Sequence, residues 1–168
     1  MTSVAMGDNR ALTTLINRHS QRLHAYLVRY TQSKADADDL LQESWIRVAR
    51  SARRFDPSRR FRSWLYGIAT NLARDLFRKR GMRERALLDR TSFSTQAEGR
   101  NSTIAERSEL LELVGQLPDR MREVVLLRFY EGMNESEMAT VLGIAKGTVK
   151  SRLHSALRFL REDYGDTR

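Results

Sequence analysis

Between Glu135 and Leu153 the chain reads ESEMATVLGIAKGTVKSRL. Ala139 is small where two helices would cross closely, and Gly143 follows four residues later, where the chain must turn sharply. Met138, Leu142, Ile144 and Val149 supply apolar contacts that would hold the two helices at a fixed angle. The spacing is that of a helix-turn-helix, with one departure: the last apolar position falls on Leu153, with Arg152 before it. The second helix then continues with Val149, Leu153, Ala156, Leu157 and Leu160 inward. Lys146, Thr148, Lys150, Ser151, Arg152, His154, Ser155 and Arg158 are expected to face outward. Such side chains near the start of a second helix reach base edges and flanking phosphates in a major groove.

Apolar residues at three-and-four spacing recur through the rest of the chain, and only Pro57 and Pro118 interrupt them, so the fold class is all-α. A first helix carries Leu12, Leu15, Ile16, His19, Leu23, Tyr26, Leu27 and Tyr30 on one face. His19 reads as a core or boundary histidine, because no partner lies at metal-ligand spacing. Ser33 can cap the next helix, with Asp36 and Asp38 favouring its positive end. Leu40, Leu41, Trp45 and Val48 form that helix's buried stripe, and Asp39, Gln42 and Glu43 form a polar patch beside it.

Arg53 to Arg60 reads as a basic loop, since Pro57 disfavours helical geometry at Asp56. A third helix follows, with Phe61, Trp64, Leu65, Ile68, Ala69, Leu72 and Leu76 on its stripe and Trp64 mainly core. Arg62, Tyr66, Asn71, Arg74, Asp75, Arg78, Lys79 and Arg80 point elsewhere. Periodicity fades from Gly81, and the polar run 91–103 suits a linker. The reading is two small helical domains, 1–82 and 105–168, joined by a flexible linker at 83–104. The second domain opens with Leu110, Leu111, Leu113, Val114 and Leu117, stops at Pro118, and restarts through Met121, Val124, Val125, Leu127 and Phe129 to Gly132.

The net charge of +9 favours an anionic partner. Residues 50–90 hold thirteen basic and four acidic side chains, against six and five before them and eleven and twelve after. A basic stretch on an otherwise balanced chain is an electrostatic footprint for phosphates. The chain has no cysteine and only three scattered histidines, so thiolate metal sites, disulfides and metal-assisted or phosphoryl-transfer chemistry have no visible seat. No catalytic residue, metal or cofactor is expected. No apolar run approaches the roughly 18 residues of a membrane span, and MTSVAMGDNR lacks signal-peptide order, so a cytoplasmic, non-inserted protein is expected.

Three stretches, DADDLLQESWIRV (36–48), FRSWLYGIATNLARDLFRKR (61–80) and LPDRMREVVLLRFYEGMNESEMATVLGIAKGTVKSRLHSALRFLR (117–161), resemble regions two and four of bacterial extracytoplasmic-function (ECF) sigma factors. They occur in the family's order and separation, and a short linker replaces the third domain of larger sigma factors. The resemblance implies a factor that binds core RNA polymerase and directs it to promoter DNA, first as duplex and then as melted strand. It implies polymerase docking by Asp39, Gln42 and Glu43, with Asp36 beside them. Loop residues Phe55, Asp56, Ser58, Arg59 and Arg60 are implied to hold a base flipped out of the minus-ten element. Asn71 would lie near the displaced strand, with Arg74 and Arg78 on the same basic helix. Lys150, Ser151, Arg152 and His154, flanked by Lys146 and Thr148, match the minus-thirty-five recognition positions. It further implies a cognate anti-sigma factor that holds the two domains inactive.

Unstacking costs a few kilocalories per base step, and a protein without ATP chemistry offsets this only by binding the separated strand. With Phe55, Phe61, Trp64, Tyr66 and Phe77 as the aromatics there, melting is expected to be weak. A stand-alone helix-turn-helix regulator is the alternative, but it has no use for an acidic patch beside a basic helix.

Overall fold

The computed structural model describes residues 1–88 and 109–165, and all regular structure among them is helical. Asp8, which the sequence reading passed over, caps α2 (Asn9–Thr31) by accepting from the Arg10 and Ala11 amides. Gln32 closes the same helix with a left-handed φ of 56° and donates its N–H to Val28. Ser33 then caps α3 (Lys34–Ser51) by accepting from the Asp36 amide, as expected, so α3 folds back against α2. A short α1 (Thr2–Ala5) packs against the 3-10 turn Ala52–Arg54. Residues 55–60 form the loop around Pro57.

The helix α4 (Phe61–Leu88) is longer than expected. Residues 83–88 continue it, because Arg, Glu, Ala and Leu sustain a helix where the apolar period lapses. The rest of the expected linker, up to 104, falls in the stretch outside the described residues. Beyond it come α5 (Glu109–Gln116) and α6 (Asp119–Val125), which widens into a π turn over Leu126–Tyr130. Pro118 separates α5 from α6, as expected. The helix-turn-helix is α7 (Glu135–Leu142) and α8 (Lys146–Gly165). Gly143 closes α7 at φ +65°, the left-handed geometry that glycine adopts without a Cβ clash. Asn134 caps α7 by accepting from the Ser136 and Glu137 amides, while Glu137 reaches back to the Asn134 amide.

The two helical regions abut. Leu23, Tyr26, Tyr30, Leu65 and Ala73 from the first lie in one apolar cluster with Leu117, Val124, Leu126, Met138 and Val149 from the second. Where α4 meets α7, a Cβ on Gly67 would stand 3.4 Å from the Val141 carbonyl oxygen. Arg122, only 2% exposed, ties three elements together. Its guanidinium donates to the carbonyls of Val114, Gly115 and Leu117 at the end of α5 and to Tyr30 at the end of α2. Helix ends carry unpaired carbonyls and partial negative charge, so a buried guanidinium is satisfied there.

Several expected orientations change: Tyr66 is buried, while Phe129, 59% exposed, and Leu157 face solvent. The π turn explains Phe129: the Glu131 amide bonds to the Leu126 carbonyl five residues back, so the simple 3.6-residue register fails there. Among the described residues no helix is long and apolar enough to cross a membrane.

Candidate functional site

On α3, Asp39 and Gln42 are exposed, and Glu43 stands one turn on, paired with Arg47 at 3.0 Å. These groups form one acidic face because positions three and four apart stack on a helix. Asp36 differs. Both its oxygens accept from Arg80 of α4, at 2.8 and 2.5 Å, and it is mostly shielded, so it braces α3 on α4 and leaves the free face to the other three.

The loop before α4 is organised by Asp56. Its carboxylate accepts from the Ser58 amide at 2.9 Å and the Ser58 hydroxyl at 2.7 Å, with Arg59 at 3.4 Å. The Ser58 bonds, hydroxyl first, hold the Asp56 carboxyl below its ordinary pKa. This local turn points Ser58, Arg59 and Arg60 to solvent. The Phe55 ring lies 4.9 Å from that of Trp64 and 6.1 Å from that of Phe61. Phe61 is itself packed on Trp45 and His19, and Phe77 stands edge-on to Tyr30. Half-buried Phe55 and Trp64 are therefore the aromatic faces left beside the loop. Trp64, Asn71 and Arg59 line one wall of a groove of about 260 Å³, and residues 140–143 at the end of α7 and its cap line the other.

Farther along α4, the sequence-picked cations are not equally free. Arg78 is exposed and pairs with Asp75 at 3.1 Å. Arg74 instead makes a two-pronged contact with Glu123 of α6, at 2.8 and 2.7 Å, and donates to the Leu142 carbonyl at 3.3 Å. Burial lowers the Arg74 pKa, but the hydrogen bonds and charge of Glu123 outweigh it and raise it overall. Tyr30 also donates to Glu123 at 3.2 Å. Burial raises the pKa of Tyr30, and the charge of Tyr26 adds to it, so its hydroxyl stays a donor.

A second carboxylate, Glu131, accepts from Arg62 and from Tyr66, each at 2.7 Å, and its backbone carbonyl also accepts from Arg62. Burial followed by the Glu131 bond and charge raises the Tyr66 pKa. Glu137 meets Arg60 at 2.5 Å. Its carboxyl is held below the ordinary range first by the Asn134 amide and then by Arg60.

On α8, Lys146, Lys150, Ser151 and His154 are exposed and Thr148 is half-buried. Lys150 lies 3.5 Å from Glu135 but remains 66% exposed. Arg152 does not point outward. It donates to Glu123 at 3.1 Å, so one carboxylate holds a guanidinium from α8 and another from α4.

Residues 15–83 match the family model for Sigma-70 region 2, and residues 107–160 match that for Sigma-70, region 4. The RNA polymerase sigma factor CarQ of Myxococcus xanthus is 35% identical over 161 residues, covering 95% of this chain and 92% of the relative. The ECF RNA polymerase sigma factor SigL of Mycobacterium tuberculosis is 31% identical over 176 positions, covering 100% and 98%. The chain belongs to the ECF sigma factors. This ECF sigma factor binds core RNA polymerase and directs promoter-specific transcription initiation. The stand-alone regulator is not favoured, since both sigma regions are present in order. CnrH, solved in complex with the cytosolic domain of CnrY, is similar over 99% of this chain and 96% of its own, with a TM-score of 0.74 and 28% identity. RpoE of Bartonella quintana, solved with the anti-sigma factor NepR, shares the fold at a TM-score of 0.75 and 22% identity, over 95% and 99%.

Sequence reasoning missed the partners of Glu123, Glu131, Arg62 and Arg122. The signal was present: Arg122-Glu123 interrupts the apolar run from Met121 to Leu127, and charged residues at buried register positions occur there only when paired.

Proposed function

We propose that this ECF sigma factor divides initiation among three surfaces on two domains, 1–82 and 105–168, connected through 83–104. Asp39, Gln42 and Glu43 dock on polymerase, and Asp36 supports them by fixing α3. Phe55 and Trp64 offer stacking faces to an extruded base, while Arg59, Arg60, Asn71, Arg74 and Arg78 take the strand beside it. Asp56 and Ser58 hold the loop's shape. Lys146, Thr148, Lys150, Ser151 and His154 face the minus-thirty-five duplex, with Arg152 setting the helix behind them.

The observation that carries this reading is the Phe55–Trp64 pair beside a turn that presents three consecutive polar or basic side chains. A ring pair next to solvent-exposed arginines suits a single strand better than a closed duplex. The factor acts in the cytoplasm, carries out no chemistry of its own, and has an anti-sigma partner, a reading supported by the bound partners of CnrH and RpoE. The test compares promoter binding by the chain alone and with core polymerase. Each DNA-facing surface is small, so tight specific binding is expected only with polymerase as scaffold. Equally tight duplex binding without polymerase overturns the reading.

A further inference from the structure

Two cavities meet where the loop 55–60 and α4 face α7. One, of about 260 Å³, is the groove described above, with Trp64, Ile68 and Asn71 opposite residues 140–143. The other, of about 360 Å³, lies at the start of α7 and is lined by polar and charged residues alone, among them Ser58, Arg60, Asn134, Ser136 and Glu137. Arg59, Ser63 and Thr140 border both, so the two form one trough with a ring at one end and cations at the other. Its size suits a small molecule.

The Ser63 side chain points to a ligand. The residue is 5% exposed, and its hydroxyl makes no hydrogen bond among the described residues. A helical serine at such depth ordinarily returns its hydroxyl to the carbonyl four residues back, as Ser44 does to Leu40. The Ser63 hydroxyl instead lines both cavities, and a polar group so enclosed needs a partner there. Arg59 is held only by a 3.4 Å contact with Asp56 and is 64% exposed, so its guanidinium is available. The one carboxylate on the wall, Glu137, is already answered by Arg60 and by the Asn134 amide. Arg59 and the positive end of α7 therefore set the sign of the polar end.

We propose that this trough binds a nucleoside 5′-monophosphate, with the base against Trp64, the phosphate at Arg59, and Ser63 donating to the ribose-phosphate between them. A ring face takes any base by stacking, and the spare N–H groups of Asn71 meet acceptors on the base edge. A guanidinium flanked by hydroxyls is the chemistry that holds a phosphate monoester. The site shares Trp64, Asn71 and Arg59 with the surface assigned to the melted strand, but binding to the free chain involves neither DNA nor polymerase and stands apart from that assignment.

Titration calorimetry on the full chain tests it, with AMP, adenosine and inorganic phosphate as separate ligands. AMP should bind with one-to-one stoichiometry and raise the melting temperature as its concentration rises. Adenosine, which lacks the charge-assisted contacts, should bind about tenfold more weakly, and inorganic phosphate more weakly still. Trp64 is one of two tryptophans, and the other, Trp45, is buried in the core, so AMP should also quench tryptophan emission. Ser63→Ala should weaken AMP several-fold while melting at or above wild type, because its hydroxyl has no partner to lose. Arg59→Gln should bring AMP down to the adenosine level and leave adenosine unchanged.

No AMP binding at millimolar concentration overturns the site, and the Ser63 hydroxyl then meets only water. AMP affinity unchanged in both Ser63→Ala and Arg59→Gln places the ligand elsewhere and overturns it equally. Adenosine as tight as AMP overturns the phosphate end, and unaltered emission overturns the base end. Promoter opening enters none of these measurements, so failure of the loop variants to behave as expected in transcription leaves the site standing, and loss of the site leaves strand capture standing.

Discussion

Replacing Arg152 with alanine asks whether this guanidinium reads a base or holds the recognition helix in place. In the structure it donates to Glu123 at 3.1 Å, and the receiving side chain is 1% exposed. A hydrogen bond to a charged group contributes about 1.5–3 kcal/mol, and an abandoned buried acceptor pushes toward the upper end. Arg74 and Tyr30 still donate to the same carboxylate, and Arg152 is itself partly exposed, which pulls the estimate down. A loss of about 1.5 kcal/mol is therefore expected. For a chain of this size that lowers the melting temperature by about 3–6 °C.

Lys150→Ala is the internal control, because an exposed lysine contributes within about 0.5 kcal/mol to folding. Thermal melts of both variants should be paired with holoenzyme binding to a panel of single substitutions across the minus-thirty-five element. Arg152→Ala should weaken every member by a similar factor, as a displaced helix does. Lys150→Ala should melt with wild type and lose affinity through its own contact. If Arg152→Ala melts with wild type and relaxes preference at one position only, the side chain reads a base and the positioning argument fails.

Asp39→Lys with Glu43→Lys should abolish co-purification with core polymerase at a nearly unchanged melting temperature, since Asp39 is exposed and Glu43 makes only a surface pair with Arg47; retained binding returns that face to solvent. Asn134→Ala removes the α7 cap and should cost about 1 kcal/mol in a thermal melt, with Glu137→Ala losing part of the same bond network. Burial first, then Arg18, Arg62 and Arg22, lowers the pKa of His19 from 6.5. The unfolded chain therefore binds this proton first, so its contribution to stability is full above about 6.5 and is lost as pH falls toward the depressed folded value. A His19→Gln melt series should be flatter across that window. Phe55→Ala or Arg59→Ala should impair transcription from an ordinary promoter and recover on one already mismatched at the minus-ten region; no recovery refutes strand capture by the loop.

The helix-turn-helix was legible because its determinants are local: an apolar pattern, a small residue at the crossing and a glycine that takes φ +65°. Ser33 and Pro57 were legible for the same reason, each acting on the backbone within a turn of itself. Arg152 was not, because position 152 is outward by simple helical count and only the distant Glu123 draws it in. Tyr66 failed likewise: its ring is polar enough to be read as outward, yet Glu131 gives its hydroxyl a buried partner 65 positions away. Local sequence carries the elements, and the partners of charged groups depend on how distant elements meet.

That dependence bears on how the regions meet, through an apolar cluster and charged pairs together. The apolar part, shared by Tyr26, Leu65, Val124, Leu126 and Met138, supplies burial but is tolerant of register. Buried ion pairs have the opposite character. Their attraction is largely offset by desolvation, so they add little net stability, while mismatched alternatives leave a charge stranded and are strongly disfavoured. Arg74–Glu123 and Arg62–Glu131 therefore fix the register of a contact whose burial is largely apolar.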